Sequence, residues 1–262
     1  PYYASLAELL SREIRAINFT PLIITSSDNI DQEYSSLQSI IDEKCIGLIS
    51  VLNHRNPRIR NLYKSYPIPT VFIGRIDDEI DSSYVTSDNY NASANVARYL
   101  YNCKYDKFLY VCTLSAKESI YDDRLEGFKY GLNQVGMTLS DEDIIVFDMN
   151  NTVSHYSLVN RIMGLIKDHR VGIFCYHDLI ATEIYLLLNR ANVSIPQQVG
   201  IVGYDGLDIS SYFKITTCSY NFKKMAHSAV SLLYDKINGS PNQNICIQTI
   251  LNVRNTTGSS FN

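Results

Sequence analysis

Val171-Gly172-Ile173-Phe174-Cys175-Tyr176-His177-Asp178, followed by Leu179 to Asn192, is the stretch on which the fold turns. Its first five residues are apolar without a break. That is the pattern of a strand in a parallel sheet covered by helices on both faces, where every side chain meets apolar cover whichever way it points. From Asp178 onward the spacing changes: at about 100° per residue, Ile180, Ile184, Leu187 and Ala191 fall in one stripe, the face expected to cover a sheet. Asp178 stands at the junction, where a short acidic side chain can accept from the free amides of a first helical turn. A strand running into a helix in this way is one βα unit, and its recurrence predicts an α/β fold.

The unit recurs along the chain. Further strands are predicted at 22–25, 45–51, 70–73, 84–86, 108–113, 144–147, 199–202 and 245–253. Helices are predicted over 3–17, 32–43, 90–103, 125–135, 154–167, 178–192 and 223–237; in the first of them Tyr3, Ala7, Leu10, Ile14 and Ile17 recur at steps of three and four. Two such runs predict two doubly wound parallel-sheet lobes with a ligand cleft between them. The first lobe is expected to hold 1–101 plus 220–240, the second 102–219 plus 241–257, and 258–262 is a tail. No repeat or low-complexity segment interrupts them.

The 262 residues are 45% hydrophobic and 19% charged, enough for a sizeable core. Lys and Arg number 23 against 27 Asp and Glu, a net charge of -4 with no run of like charge, so the chain carries no electrostatic footprint for a nucleic-acid backbone. Apolar stretches such as 45–52 fall far short of the roughly 20 residues that span a bilayer, which predicts no membrane segment. No secretory signal is visible at the N-terminus. Six cysteines (45, 103, 112, 175, 218, 246) show no C-x-x-C, which fits a reducing cytoplasm and gives no zinc spacing. Five histidines form no H-x-x-H pair, Gly200-Ile201-Val202-Gly203 lacks the third glycine of a dinucleotide fingerprint, and neither G-x-S-x-G nor a Walker sequence is present. No metal, cofactor or enzymatic machinery is therefore expected.

Ligands of open α/β sheets sit beyond the carboxyl ends of the strands. The residues expected there, including Asp88, Arg124, His177, Asp178, Tyr204 and Asp205, are rich in carboxylates, Arg and Tyr. These are the groups that pair with hydroxyls and pack on the apolar face of a sugar. Each also has a structural explanation: Asp88 and Asp178 serve as N-caps, Arg124 pairs with Glu126 or Asp123 on a solvated helix, and Tyr3 has the spacing of a core residue.

Seven segments occur in an order that resembles one family: Pro1-Tyr2-Tyr3, Ile68-Pro69-Thr70-Val71-Phe72-Ile73-Gly74-Arg75, Thr86-Ser87-Asp88-Asn89-Tyr90, Arg124-Leu125-Glu126-Gly127-Phe128, Phe174 to Ala181, Val199 to Asp205, and Val253-Arg254-Asn255-Thr256-Thr257. The chain resembles the LacI/GalR family of bacterial transcriptional repressors over nearly its whole length. The resemblance implies a cytoplasmic effector core with the fold of periplasmic sugar-binding proteins, binding a small molecule, most often a sugar, between two lobes. It implies DNA contact only through an upstream helix-turn-helix outside this chain. In the family a strand precedes the first motif, so the chain is expected to be a fragment.

The resemblance assigns ligand contact to Tyr3, Asp88, Arg124 and Asp178, and puts Tyr204 and Asp205 in a flanking loop. His177 stands where the family has Asn, and Asn150 where many members have an aromatic. The helix over 178–192 implies a homodimer with Tyr185 and Leu186 at the interface, since both lie well off the sheet-covering stripe. Two other readings compete: an extracytoplasmic sugar-binding protein of a transporter, and a hydrolase using Asp178 with His177. The second is disfavoured because neighbours at a helix start diverge by about 100°.

Overall fold

The computed structural model describes residues 2–26, 29–51, 57–66, 68–74, 79–114, 116 and 123–258. Pro1 and Arg75 of the quoted motifs lie outside them. In chain order the elements are α1 (Tyr2–Ala16), α2 (Ile30–Asp42), β1 (Leu48–Val51), α3 (Pro57–Ser65), β2 (Thr70–Ile73), β3 (Ser83–Ser87), α4 (Asn89–Asn102), β4 (Lys107–Cys112), α5 (Asp123–Asn133), β5 (Ile144–Val146) and α6 (Thr152–Leu165). Then follow β6 (Val171–Cys175), α7 (Asp178–Arg190), β7 (Val199–Asp205), α8 (Asp208–Tyr212), β8 (Thr216–Ser219), α9 (Phe222–Ile237), β9 (Asn244–Ile247) and β10 (Ile250–Asn252).

The chain divides into two compact units, Pro1–Ser87 with Asn221–Ile247 and Asp88–Tyr220 with Gln248–Asn262. The first holds a parallel sheet in the order β1-β2-β3-β9. The second holds a six-stranded sheet in the order β10-β8-β7-β6-β4-β5, parallel except for the antiparallel β10-β8 pair. Both are covered α/β sheets, as continuously apolar strands require: every residue of β6 and β7 is buried.

The unit boundaries differ from those read in the sequence. Helix α4 belongs with the second unit because it packs against α5 at backbone distance. A Cβ added at Gly127 would stand 2.1 Å from the carbonyl oxygen of Tyr90, and one at Gly131 2.4 Å from that of Ala94. Only glycine admits so close an approach. The single strand expected over 245–253 is two: β9 pairs with β3 in the first unit, and β10 pairs with β8 in the second.

Residues 22–25 form no strand. Leu22 and Ile23 are 59% and 58% exposed, and among the described residues no strand pairs with them, so their β-branched, apolar character has no ladder to join. Conversely β8, Thr216-Thr217-Cys218-Ser219, was hidden by its polarity. Its first residue is tied to Thr256 and Thr257: Thr256 Oγ1 accepts from the Thr216 amide at 2.9 Å and donates to the Ile201 carbonyl at 2.7 Å, while the Thr216 and Thr257 hydroxyls pair at 2.7 Å.

The core of the second unit gathers Val171, Ile173, Ile201, Ile180, Ala181, Ile184 and Leu188 around the sheet. Each large side chain so buried contributes about 1.5–3 kcal/mol. On α7 the fully buried stripe therefore runs through Ile180, Ala181, Ile184 and Leu188, with Leu187 and Ala191 only partly buried beside it. Gly200 is needed because the Tyr105 ring lies over it, with Tyr105 Cζ 2.4 Å from where a Cβ would be. Its glycine serves packing, not a phosphate.

Candidate functional site

At the carboxyl edge of the six-stranded sheet, β6 ends into Tyr176 and His177, β7 ends on Asp205, and β8 runs into Tyr220. The first turn of α5 brings Arg124 to the same place. Its guanidinium carbon lies 4.4 Å from the Tyr176 ring centroid, 4.2 Å from that of Tyr204 and 5.9 Å from that of Tyr220, within cation–π range of all three. The guanidinium donates to the Tyr176 carbonyl and, at 2.8 Å, to the Tyr220 hydroxyl, and stands 3.5 Å from Asp205 Oδ1. Behind it, Asn89 Oδ1 accepts from both the Tyr204 hydroxyl (2.9 Å) and the Tyr220 hydroxyl (3.0 Å).

The charge balance follows from burial. Desolvation pushes the Asp205 carboxyl up to about 7, even though Arg124 pulls the other way and Asp178 adds to the rise. Burial opposes the charge on Arg124, but Tyr220 and Asp205 more than offset it and its pKa goes up. Burial, reinforced by Arg124, pushes His177 down to about 4, so its imidazole is neutral at pH 7. Its Nδ1 accepts from the Ile180 amide at 3.2 Å, which leaves the proton of the neutral ring on Nε2.

His177, not Asp178, is thus the N-cap of α7. Asp178 has no exposed surface. Its Oδ2 accepts from the Leu207 amide at 2.7 Å and its Oδ1 from the Thr217 hydroxyl at 2.6 Å. Both carboxylate oxygens of Asp178, expected to face a ligand, make contacts within the protein. The acid/base pairing of His177 with Asp178 also fails on geometry, since the ring turns to α7 and the carboxylate to Leu207 and Thr217.

Asp88 caps α4, accepting from the Asn91 amide at 3.2 Å and from the Asn91 side chain. Tyr204, expected in a loop, is a fully buried residue of β7 lying under Arg124. Tyr3 belongs to the other unit, 60% exposed, with its ring edge-on to Tyr2 at 5.1 Å. Tyr185 leans on Phe213 of its own unit, ring centroids 6.0 Å apart, and Leu186 is half-buried.

Arg124, Tyr204 and Asp205 are therefore the three expected residues that the structure brings together. Tyr176, Tyr220 and Asn89 were not singled out. Tyr220 could have been found had β8 been recognised, since it is the first residue beyond that strand. Among the described residues no cluster of His, Cys, Asp and Glu could hold a metal ion, and no helix is long and apolar enough to cross a membrane. Cys103, Cys112, Cys175 and Cys218 are free thiols in buried positions.

A model of the periplasmic binding protein-like domain matches residues 97–257. Among curated relatives, the HTH-type transcriptional regulator MalR of Clostridium butyricum is 24% identical over 262 residues, 96% of this chain and 76% of that protein. The HTH-type transcriptional repressor PurR of Photobacterium profundum is 26% identical over 124 residues, a match that spans 47% of this chain and 36% of that protein. A solved periplasmic binding protein/LacI transcriptional regulator from Alkaliphilus metalliredigens, complexed with D-xylulofuranose, superposes with a TM-score of 0.80 at 23% identity, covering 99% of this chain and 95% of its own.

Proposed function

The chain belongs to the periplasmic binding protein-like domain family, and on that premise we propose that it is the effector-sensing core of a LacI/GalR-type transcriptional regulator, binding a sugar or sugar derivative at the Arg124 site. One observation carries the reading: an arginine fork held against Tyr176, Tyr204 and Tyr220 beside the Asp205 carboxyl, at the carboxyl ends of parallel strands. A sugar presents vicinal hydroxyls to such a fork and carboxyl, and its apolar ring face to an aromatic. The names of the relatives support the regulatory role, and the xylulofuranose in the Alkaliphilus protein supports a sugar as effector.

The net charge of -4 fits a core that leaves operator DNA to residues outside this chain. Buried free thiols fit a reducing cytoplasm. The same reading makes the protein a non-enzymatic homodimer. The test is a thermal-shift screen with D-xylulose, D-ribose, cellobiose, glucose 6-phosphate and hypoxanthine. A ligand that binds only the folded state raises Tm; a sugar should do so, and Arg124→Ala should abolish the shift. Stabilisation by hypoxanthine alone, or a sugar response untouched by Arg124→Ala, would refute the assignment.

A further inference from the structure

We propose that Asp178 is a positioning residue of the effector site, acting through Asp205 by tying together the start of α7, the turn after β7 and strand β8. The proposal rests on the sensing role argued above and goes further by giving Asp178 a role carried by its contacts within the protein.

Asp178 opens α7, directly after His177. Its Oδ2 receives the Leu207 amide, just past the end of β7, and its Oδ1 receives the Thr217 hydroxyl of β8. The Ser210 hydroxyl and the Gly206 amide also favour its ionised form. One buried carboxylate therefore joins the helix start that carries His177, the turn that carries Asp205, and the strand that leads into Tyr220.

The turn needs such a clamp. Asp205 has φ 103° and Gly206 φ 74°, two successive residues in the left-handed half of backbone space. A non-glycine residue stays there only when its surroundings hold it. The clamp also dictates sequence around it. Gly203 on β7 has no side chain where a Cβ would meet Asp178 Oδ1 at 2.2 Å, and Gly206 leaves space for the Ser219 side chain, whose Oγ lies 2.2 Å from the corresponding Cβ position. With the turn held, Asp205 Oδ1 faces Arg124. Released, Asp205 would relax to an ordinary φ and carry its carboxyl away from the guanidinium.

The experiment compares Asp178→Asn, which keeps an acceptor for Leu207 and offers Thr217 a donor, with Asp178→Ala, which removes the clamp. Thr217→Val, which unties only one oxygen, serves should the alanine variant not fold. In ligand-free protein, amide exchange at Leu207 should quicken about tenfold or more in Asp178→Ala and less in Thr217→Val, and stay near wild type in Asp178→Asn. The Asp205 carboxyl, followed by NMR titration in Thr217→Val, which keeps the Asp178 charge that itself raises Asp205, should move by about half a unit or more.

Calorimetry then uses whichever of D-xylulose, D-ribose and cellobiose stabilises the wild type. Affinity should fall about tenfold or more in Asp178→Ala and stay within about threefold in Asp178→Asn. In an Asp205→Ala background the same substitutions should cost almost nothing further, because a residue acting through Asp205 has nothing left to position. Additive losses in that background, or an asparagine variant as impaired as the alanine one, would overturn the proposal, as would an unchanged Leu207 exchange rate and Asp205 titration. Failure of the sensing role has a different signature: no sugar stabilises the wild type, and the ligand-free measurements decide alone.

Discussion

Gly203 and Asp178 are fitted to each other: the carboxylate oxygen that accepts from Thr217 occupies the space a side chain at 203 would fill, 2.2 Å from the Cβ position. The glycine of β7 is thus fixed by an aspartate on a neighbouring helix. Close glycine packing elsewhere in the second unit follows the same logic, with Gly200 beneath Tyr105, and Gly127 and Gly131 against α4.

Gly203→Ala should therefore destabilise the protein by about 1–3 kcal/mol through overpacking against a carboxylate that has nowhere to move. Part of that loss should vanish in an Asp178→Ala background, where the obstructing oxygen is gone. Urea denaturation of the four proteins in the cycle measures the coupling; a penalty equal in both backgrounds would place the strain elsewhere.

Thr256→Val preserves shape but removes the hydroxyl that serves both the Thr216 amide and the Ile201 carbonyl. Both groups are buried between strands, and each left unpaired costs about 1–3 kcal/mol. The loss should appear in the denaturation midpoint with little change in slope. A change under about 0.5 kcal/mol would mean that water replaces the hydroxyl.

The repeated βα units could be read in the sequence because β6 and the first four residues of β7 are apolar without a break and α1 and α7 carry regular apolar spacing. Where the sequence misled, a polar group was doing structural duty. Strand β8 is held by threonine hydroxyls rather than apolar cover, so periodicity missed it and Tyr220 with it. Asp178 has the chemistry of a ligand contact, and neither its full burial nor its bonds to Leu207 and Thr217 can be read from its residue type. The boundary at Ser87 was invisible because the glycines that bind α5 to α4 read as ordinary helix residues. Residues 22–25 carry the composition of a strand, but composition does not supply a partner.

Arg124→Lys tests the geometry of the fork. One ammonium cannot at once reach the Tyr176 carbonyl, the Tyr220 hydroxyl and Asp205 while lying over the Tyr204 ring. Sugar affinity should fall about tenfold or more for lysine, and about 30-fold or more for Arg124→Ala. Calorimetry showing less than about a threefold change in both would remove Arg124 from the site.

The dimer proposal predicts the outcome of substituting Tyr185→Glu and Leu186→Glu together. Tyr185 is partly covered by Phe213 within its own unit, so the charge tests whether the remaining surface meets a partner. Sedimentation should show conversion of dimer to monomer with the helical circular dichroism retained. A dimer that survives the double substitution places the contact on another face.

Protonation of Asp205 gives a pH signature whose sign is fixed. Its carboxyl sits at about 7 in the folded protein against roughly 3.9 when unfolded. Between those values the folded state holds the proton more tightly, so the contribution is fully present below about pH 4 and is lost as pH rises through 7. His177 acts in the opposite sense: lowered to about 4 in the fold from roughly 6.5 unfolded, it favours the folded state increasingly as pH rises across that interval. Asp205→Asn mimics the protonated acid and removes one of these two dependences. The stability of Asp205→Asn relative to wild type should therefore climb by roughly 2–4 kcal/mol from pH 4 to 7 and then level off. Paired urea titrations at acidic and neutral pH read this difference directly. A difference that stays flat would mean that the Asp205 carboxyl titrates near its ordinary value and that Arg124 neutralises it more effectively than burial opposes it.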